Sequence, residues 1–392
     1  MTQKYKALEL ELGEIEARGL LRKQKLIDGP IGPRVRIDGR ETLLLCTNDY
    51  LGLANHPSVK RAAKDAVERY GSGAGASRLV SGTLRIHSEL EAALTRLKGT
   101  DAAIAFGSGY LANIGTISAL MQEGDLIYSD ELNHASIVDA CRLSRAAVRI
   151  YPHADARALA KMLADGAACG RRLIVTDGVF SMDGDLAPLP ELARLASEFD
   201  CYLMVDDAHA TGVVGPEGKG TASHFGLEGS VEIQMGTLSK AIGSYGAFVA
   251  GRRELIDYLV NMARSFIFTT ALPPAAAGAA LEALRIMERE PERRERLWHN
   301  ASLLKQELAA AGFNLGASET FIIPVVIGDA GECVRMAEAL LEEGVFAQAI
   351  RPPSVPVGAS RLRVVPTAEH GTGDIEFALA AFARAGRKCG LI

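Results

Sequence analysis

The sequence predicts an α/β fold in which a large, mainly parallel sheet with helices on both faces is followed by a smaller α+β C-terminal domain. Two observations carry that expectation. From about Asn48 onward, short apolar runs alternate with helical stretches: AAIAF, DLIYSD, AVRIY, RLIVTDGVF, CYLMVDD, VEIQMGTL and AFVAG. Strands separated by helix and loop mark crossover connections, which build parallel sheets covered on both sides. The second observation is length: 392 residues exceed what one ordinary hydrophobic core organises, so two or three domains are expected.

Taken in order, residues 1–45 form an arm. MTQKYKALELELGEIEARGLLRK sets acidic and basic residues around leucines at helical spacing and predicts an amphipathic helix. Asp28-Gly29-Pro30 and Gly32-Pro33 make a turn, and Ile37-Asp38-Gly39-Arg40 the bend of a short hairpin. Residues 46–288 hold the apolar runs and form the large domain. PPAAAGAALEALRIMEREPERRERLWHNASLLKQELAAAG reads as a long connecting helix whose second half Pro291 starts or kinks. Within residues 289–392, strand FIIPVVIG, helix AGECVRMAEALLEEG, strand VFAQAI, loop RPPSVP, strand SRLRVV and helix GDIEFALAAFARAG complete a compact α+β unit.

Composition narrows the function classes. Apolar residues make up 48% and charged residues 23%, mixed by sign, as in a globular enzyme and unlike a disordered chain. A formal charge of −5 gives no basic excess for neutralising phosphates, which argues against a general nucleic-acid binder. Cys46, Cys141, Cys169, Cys201, Cys333 and Cys389 are scattered, with no CxxC pair and no Cys/His spacing that closes a metal site. The N-terminus lacks the basic start and apolar core of a signal peptide, and no apolar run approaches the roughly 18 residues of a membrane span. A cytoplasmic, reducing setting is expected, with no membrane contact.

Polar residues concentrate where the apolar runs end, the place where open α/β sheets gather their functional groups. Val205-Asp206-Asp207-Ala208-His209 follows CYLMV, and Gly236-Thr237-Leu238-Ser239-Lys240-Ala241-Ile242-Gly243 sets one lysine among hydroxyls and glycines. Ala105-Phe106-Gly107-Ser108-Gly109-Tyr110-Leu111-Ala112-Asn113 is a strand end and glycine turn opening a helix, which offers unpaired N–H groups to an anion. Asn133-His134-Ala135-Ser136 and the segment Thr176 to Asp185, with Ser181 within it, end further runs. Taken singly, each reads as readily as a cap, a loop histidine or a solvated lysine. Gly71-Ser72-Gly73-Ala74-Gly75 follows a helical stretch, so it does not fit a dinucleotide fingerprint, which follows a strand.

One cofactor accounts for the set. Pyridoxal 5'-phosphate needs a lysine for its aldehyde, a carboxylate for its ring nitrogen, a flat group against its ring, and N–H and hydroxyl donors for its phosphate. Lys240, Asp206, His134, and the Gly107–Gly109 turn with Thr237 supply these parts in that order.

Together, NDYLGLANHP, SGTLRIHSELE, NHASIVDACRLS, TDGVFSMDGD, VDDAHATGVVG, GTLSKAIG and RPPSVPVGASRLRV resemble the α-oxoamine synthases over nearly the whole chain, from about Arg22 to His370. The resemblance implies the fold-type I, aspartate aminotransferase-like architecture of pyridoxal-phosphate transferases and a homodimer with shared active sites. It implies that Lys240 binds the cofactor aldehyde and acts as base, that Asp206 pairs with the ring nitrogen, that His209 contacts the ring hydroxyl and that His134 stacks on the ring. Gly109, Tyr110, Ser181 and Thr237 would line the cofactor, with Thr269 and Thr270 reaching the phosphate from the neighbouring subunit.

Arg361 and Arg363 lie two apart in a strand and project to one face, so one of them could clamp a carboxylate; the resemblance points to Arg363, and Arg361 reads as a solvated surface charge. Arg22, Asn48 and Ser354 would lie near the substrate. Within the family, AIRPPSVP and ARSFIFTTALPP look most like the branch that joins L-alanine to a pimeloyl thioester, carried by coenzyme A or an acyl carrier protein. Val365-Pro366-Thr367 resembles the 5-aminolevulinate-forming branch, so glycine with a succinyl or acetyl thioester stays open, as does an aminotransferase.

Overall fold

The computed structural model describes residues 3–166 and 170–392; Cys169 lies outside the described residues. The chain divides into two compact units, one made of residues up to 47, 182–184 and 296–392, the other of residues 48–181 and 185–295.

The arm begins with the helix Gln3–Ala17, but it shows no single apolar face: Leu8, Leu10 and Leu12 are all exposed. Leucines two residues apart lie about 200° apart around a helix, so Leu10 points away from the side that Leu8 and Leu12 share. Strands β1 (Ile27–Asp28), β2 (Arg34–Ile37) and β3 (Arg40–Leu44) follow. The bend between β2 and β3 places Asp38 at φ 50° and Gly39 at φ 77°, the left-handed pair that a two-residue hairpin demands.

The larger unit holds the seven expected strands: β4 (Ala102–Phe106), β5 (Leu126–Asp130), β6 (Ala147–Tyr151), β7 (Arg172–Asp177), β8 (Tyr202–Asp206), β9 (Ile233–Thr237) and β10 (Ala247–Gly251). Their order across the sheet is β4-β10-β9-β8-β7-β5-β6. β10 runs antiparallel to both neighbours, and the other pairs are parallel.

Alternate residues of these strands enter two different cores. Ile104, Leu173, Val175, Met204, Ile233 and Met235 pack on one side, while Tyr128, Ile174, Leu203 and Val205 pack on the other. With both faces covered, polar alternation disappears and the runs become apolar throughout. Odd and even positions thus decide which way a strand-end side chain points. Asp177, Asp206 and Thr237 continue the alternation of the first core and share its side, where the helix Gly109–Leu120 contributes Ala112 and Ile117.

In the other unit, β11 (Ile323–Gly328), β13 (Gln348–Ile350) and β14 (Ser360–Val364) form a sheet of order β11-β14-β13, and β12 (Val345–Phe346) pairs in parallel with β3. VFAQAI, read as one strand, is therefore divided at Ala347 between two sheets. The long connecting helix breaks as expected at Pro291, into Pro274–Arg289 and Glu292–Ala310. Among the described residues no helix is long and apolar enough to cross a membrane.

Candidate active site

The carboxyl ends of β7, β8 and β9 form the floor of the site. Asp177 and Asp206 are register partners across the parallel pair β7–β8, and Asp206 is the partner of Met235 on β9. Both acids are buried. Asp206 accepts a hydrogen bond at Oδ2 from Asn113 Nδ2 at 2.7 Å and at Oδ1 from the Ala208 N–H at 2.9 Å. Asn113 comes from the helix Gly109–Leu120 and also donates to Ser136 Oγ at 2.8 Å, while its own carbonyl oxygen is buried without a partner. Ser136 Oγ lies 2.7 Å from His134 Nδ1, and the His134 N–H donates to Asp177 Oδ2 at 2.9 Å.

His134 caps the helix Ala135–Ser144 and is exposed at its outer side. Desolvation of its inner side still lowers its pKa, with Asp206 opposing and Lys240 assisting. A neutral ring fits the bonding, because Nδ1 also faces the Ser136 N–H as acceptor at 3.3 Å. Asp177 shifts the other way: burial first, then the Asp206 carboxylate, holds its pKa well above the ordinary value. Of the two partnered acids, Asp177 therefore takes the proton more readily than an exposed aspartate would.

Lys240, half-buried, lies in the turn after β9 with Nζ 2.9 Å from His209 Nε2. His209 Nδ1 is 2.6 Å from Tyr50 Oη, and the Tyr50 hydroxyl donates to Asn48 Oδ1 at 3.1 Å. A phenol has one proton; spent on Asn48, it leaves oxygen lone pairs facing His209, so Nδ1–H donates to Tyr50 and Nε2 accepts from Lys240. The chain of bonds thus runs in one direction from the amine, and the Nζ lone pair of a neutral Lys240 stays available for a proton.

At the neighbouring strand end, Ser108 caps the helix Gly109–Leu120 by accepting from the Leu111 N–H at 3.2 Å, and the Gly109 and Tyr110 N–H groups open that helix. A β-carbon on Gly109 would approach Met235 Cε to 3.0 Å, so the glycine lets helix and strand close up. Tyr110 is exposed and its hydroxyl donates to Asp139 at 2.6 Å. Thr237 Oγ1 donates to the Gly246 carbonyl at 3.0 Å and lies 2.7 Å from Ser239 Oγ. Ser239 is exposed and is the open hydroxyl of this turn.

Lys240, His209 and Asn48 thus belong to one bonding network and Asp206 and His134 to another, both within one unit, with Thr237 at the end of β9 and Gly109 beyond the end of β4, where β10 lies between the two strands. Ser181 is half-buried in the loop braced by the Val179–Leu186 bridge. Thr269 and Thr270 sit on a separate strap, where Thr270 bridges to Ser77. Arg22, Ser354 and Arg363 belong to the other unit, in which Arg22 and Ser354 are exposed and Arg363 is buried on β14. Arg361 corrects an expectation: it is buried, its guanidinium pairs with Asp183, and its Nε donates to the Ala359 carbonyl at 2.9 Å. The chain segment carrying Asp183 closes over the guanidinium that was expected in solvent.

Sequence reasoning passed over Tyr50, Asn113, Asp177 and Ser239. All four lay inside quoted motifs, and the strand parity that places Asp206 would have placed Asp177 beside it. Asn113 closes the glycine-turn segment, but its partner is 93 residues away.

A profile of the family described as aminotransferase class I and II matches residues 40–382. An 8-amino-7-oxononanoate synthase of Geobacter sulfurreducens is 52% identical over 385 residues, which is 97% of this chain and 98% of that protein. Among solved structures, a serine palmitoyltransferase of S. paucimobilis with bound PLP and myriocin superposes with a TM-score of 0.94 at 36% identity, covering 99% of each chain. An 8-amino-7-oxononanoate synthase of Francisella tularensis superposes with a TM-score of 0.76 at 28% identity, covering 88% of this chain and 98% of that one. The sheet order, the strand-end site and these likenesses carry the fold-type I expectation, and the chain belongs to the class I and II aminotransferase family, in its α-oxoamine synthase branch.

Proposed function

We propose that the chain is a cytoplasmic pyridoxal 5'-phosphate-dependent acyltransferase that joins L-alanine to a pimeloyl thioester, releasing carbon dioxide and free thiol and giving 8-amino-7-oxononanoate for biotin biosynthesis. The observation that carries the substrates is the 52% identity, almost end to end, to an 8-amino-7-oxononanoate synthase, against 36% to a serine palmitoyltransferase. The acyl group arrives on coenzyme A or on an acyl carrier protein.

The donor set fits the cofactor. A half-buried amine, a buried carboxylate held by two donors, an open hydroxyl and a helix start lie at or beyond the carboxyl ends of β4, β8 and β9, and Asn113 keeps an unpartnered buried oxygen beside the carboxylate. Lys240 would hold the aldehyde, Asp206 the ring nitrogen, His209 the ring hydroxyl and His134 one ring face; Gly109, Tyr110, Ser181, Thr237 and Ser239 would line the remainder. Bound there, the cofactor supplies an electron sink for a carbanion at the amino acid's α-carbon.

The chain's own residues do the rest. Lys240 Nζ takes the α-proton, oriented by the bond to His209 and the Tyr50–Asn48 chain behind it. Asp206 fixes negative charge below the site, and Asn113 holds that carboxylate in place. On this reading Arg363 would hold the amino-acid carboxylate, Arg22, Asn48 and Ser354 would surround the substrate, and the chain would act as a homodimer in which Thr269 and Thr270 of one copy serve the phosphate site of the other.

The test is product analysis by mass spectrometry with alanine, glycine and serine, each offered pimeloyl, acetyl, succinyl and palmitoyl thioesters. Alanine with the pimeloyl thioester should give the dominant condensed product. Preferred turnover of glycine or serine would overturn the substrate assignment, and a keto acid formed without any thioester would mark an aminotransferase. Borohydride should fix the cofactor to Lys240, and Lys240→Ala should abolish both the adduct and turnover.

A further inference from the structure

The strap 268–272 carries Thr269 and Thr270, half-buried and exposed respectively. Its backbone is tied down in sequence. Thr270 forms an antiparallel bridge with Ser77, and the Ala271 N–H donates to the Ala76 carbonyl at 3.0 Å. The next carbonyl, that of Leu272, faces His87 Nε2 at 2.7 Å.

His87 is fully buried on the helix Arg85–Lys98, within the motif SGTLRIHSELE, and has no part in the chemistry above. Its Nδ1 accepts from the Leu84 N–H at 3.1 Å. A ring nitrogen that accepts carries no proton, so the proton of the neutral ring sits on Nε2, where the Leu272 carbonyl needs a donor. Both bonds require the same tautomer, and burial keeps the ring neutral by lowering its pKa. One side of the imidazole is spent on the start of its own helix and the other on the strap.

The segment to which the strap is tied is itself braced. Arg78 binds Glu91 through two hydrogen bonds of 2.8 and 3.0 Å, and Glu91 also accepts from the Ala105 N–H of β4. Beside these ties the surface is apolar and open: Leu79, Val80 and Phe268 are all exposed. Exposed apolar side chains on the two bridged segments, beside the exposed Thr270, are suited to burial against a second copy of the chain.

We propose that His87 is a positioning residue that sets the strap, and through it the Thr269 and Thr270 hydroxyls, for the phosphate bound by the other copy of the chain and not for the site of its own subunit. The inference rests on the dimeric, pyridoxal-phosphate reading given above. It assigns the buried histidine a task in trans.

Two substitutions separate the two sides of the ring. His87→Asn keeps an acceptor near the Nδ1 position and loses the donor to Leu272; His87→Gln places an amide donor near the Nε2 position and loses the acceptor for Leu84. Titration of apo-protein with pyridoxal 5'-phosphate, followed by absorbance, should show about tenfold weaker binding for His87→Asn, the size of one lost buried hydrogen bond, and less than about threefold for His87→Gln. Equal binding by His87→Asn and wild type, or equal loss in the two variants, overturns the proposal.

A mixed dimer then decides which site is served. His87→Asn is co-expressed with Lys240→Ala under different tags, and the heterodimer is purified. One of its sites combines the intact Lys240 of the first chain with the intact strap of the second. That site should bind pyridoxal 5'-phosphate at wild-type affinity, fixable by borohydride on the His87→Asn chain. Binding that stays as weak as in the His87→Asn homodimer places the effect in the same subunit and refutes the inference. A wild-type protein that takes up no pyridoxal 5'-phosphate sinks the underlying reading instead, and is seen before any variant is made.

Discussion

Lys98→Met removes one half of a fully buried ion pair. Lys98 Nζ donates to Asp207 Oδ2 at 2.8 Å and to the Lys219 carbonyl at 2.5 Å, and the two side chains are 0% and 2% exposed. Asp207 would keep only the Thr221 hydroxyl at 2.5 Å and the Thr221 N–H at 3.2 Å. Breaking such a pair by deleting one member costs about 3–5 kcal/mol, because the remaining charge stays out of water. For a unit of this size each kcal/mol moves the melting temperature by roughly 2–4 °C, so a fall of about 6–20 °C is expected. Thermal unfolding followed by circular dichroism reads it directly. Lys98→Met/Asp207→Leu, which leaves no orphaned charge, should regain at least half of the loss. A single variant melting within about 2 °C of wild type would refute the argument that the pair is desolvated and that Lys98 is the charge balancing Asp207.

Other outcomes follow from the same geometry. Tyr50→Phe strands the buried Nδ1–H of His209 and should lower kcat/KM for condensation by about 5- to 160-fold with little change in KM for the amino acid, the effect of roughly 1–3 kcal/mol at a positioning bond; an unchanged kcat would count against the one-way chain of bonds. Asp177→Asn imitates the protonated acid and can still accept from the His134 N–H, so it should melt close to wild type, whereas Asp177→Ala should melt clearly lower; an Asn variant that melts as low as the Ala variant would show that the carboxylate charge is needed. His153 lies 3.0 Å from Asp130 and 2.7 Å from Asp185, and although burial disfavours its charged form, these carboxylates lift its pKa to about 10. A raised folded-state pKa means that the charged ring stabilises fully below about pH 6.5 and that this is lost as pH rises through about 10. The melting temperature of wild type should therefore fall more between pH 6.5 and 10 than that of His153→Asn, and parallel pH profiles would show that the clamp contributes nothing.

Much of this protein can be read from its chain because the larger unit obeys one rule. Strands covered on both faces are apolar from end to end, so each of the seven runs announced its strand, and the polar residues that close them had to be strand-end groups. Lys240, Asp206, His134 and His209 were legible for that reason. Their supports were not. Asn113 and Tyr50 lie in motifs already singled out, but their partners are 93 and 159 residues away, and nothing in an asparagine or a tyrosine names so distant a partner. Arg361 shows the opposite failure: alternation rightly put it on the face of Arg363, but only tertiary closure by Asp183 tells that this face is inside. The arm misled because acidic and basic residues flanking leucines suggest a stripe that spacing by two cannot make.

The two neighbouring acids at the end of β8 have a consequence for how this chain tolerates change. Asp206 answers to Asn113 and Asp207 to Lys98, so chemistry and anchorage are assigned by count along a single strand. Losing one residue upstream within β8 would bring Asp207 to the place of Asp206 beside Asn113 and Ala208 to the place opposite Lys98, leaving the buried lysine without its carboxylate while the composition of the motif stays untouched. The apolar stretch before them therefore works as a ruler, and indels there should be far more damaging than substitutions that conserve volume.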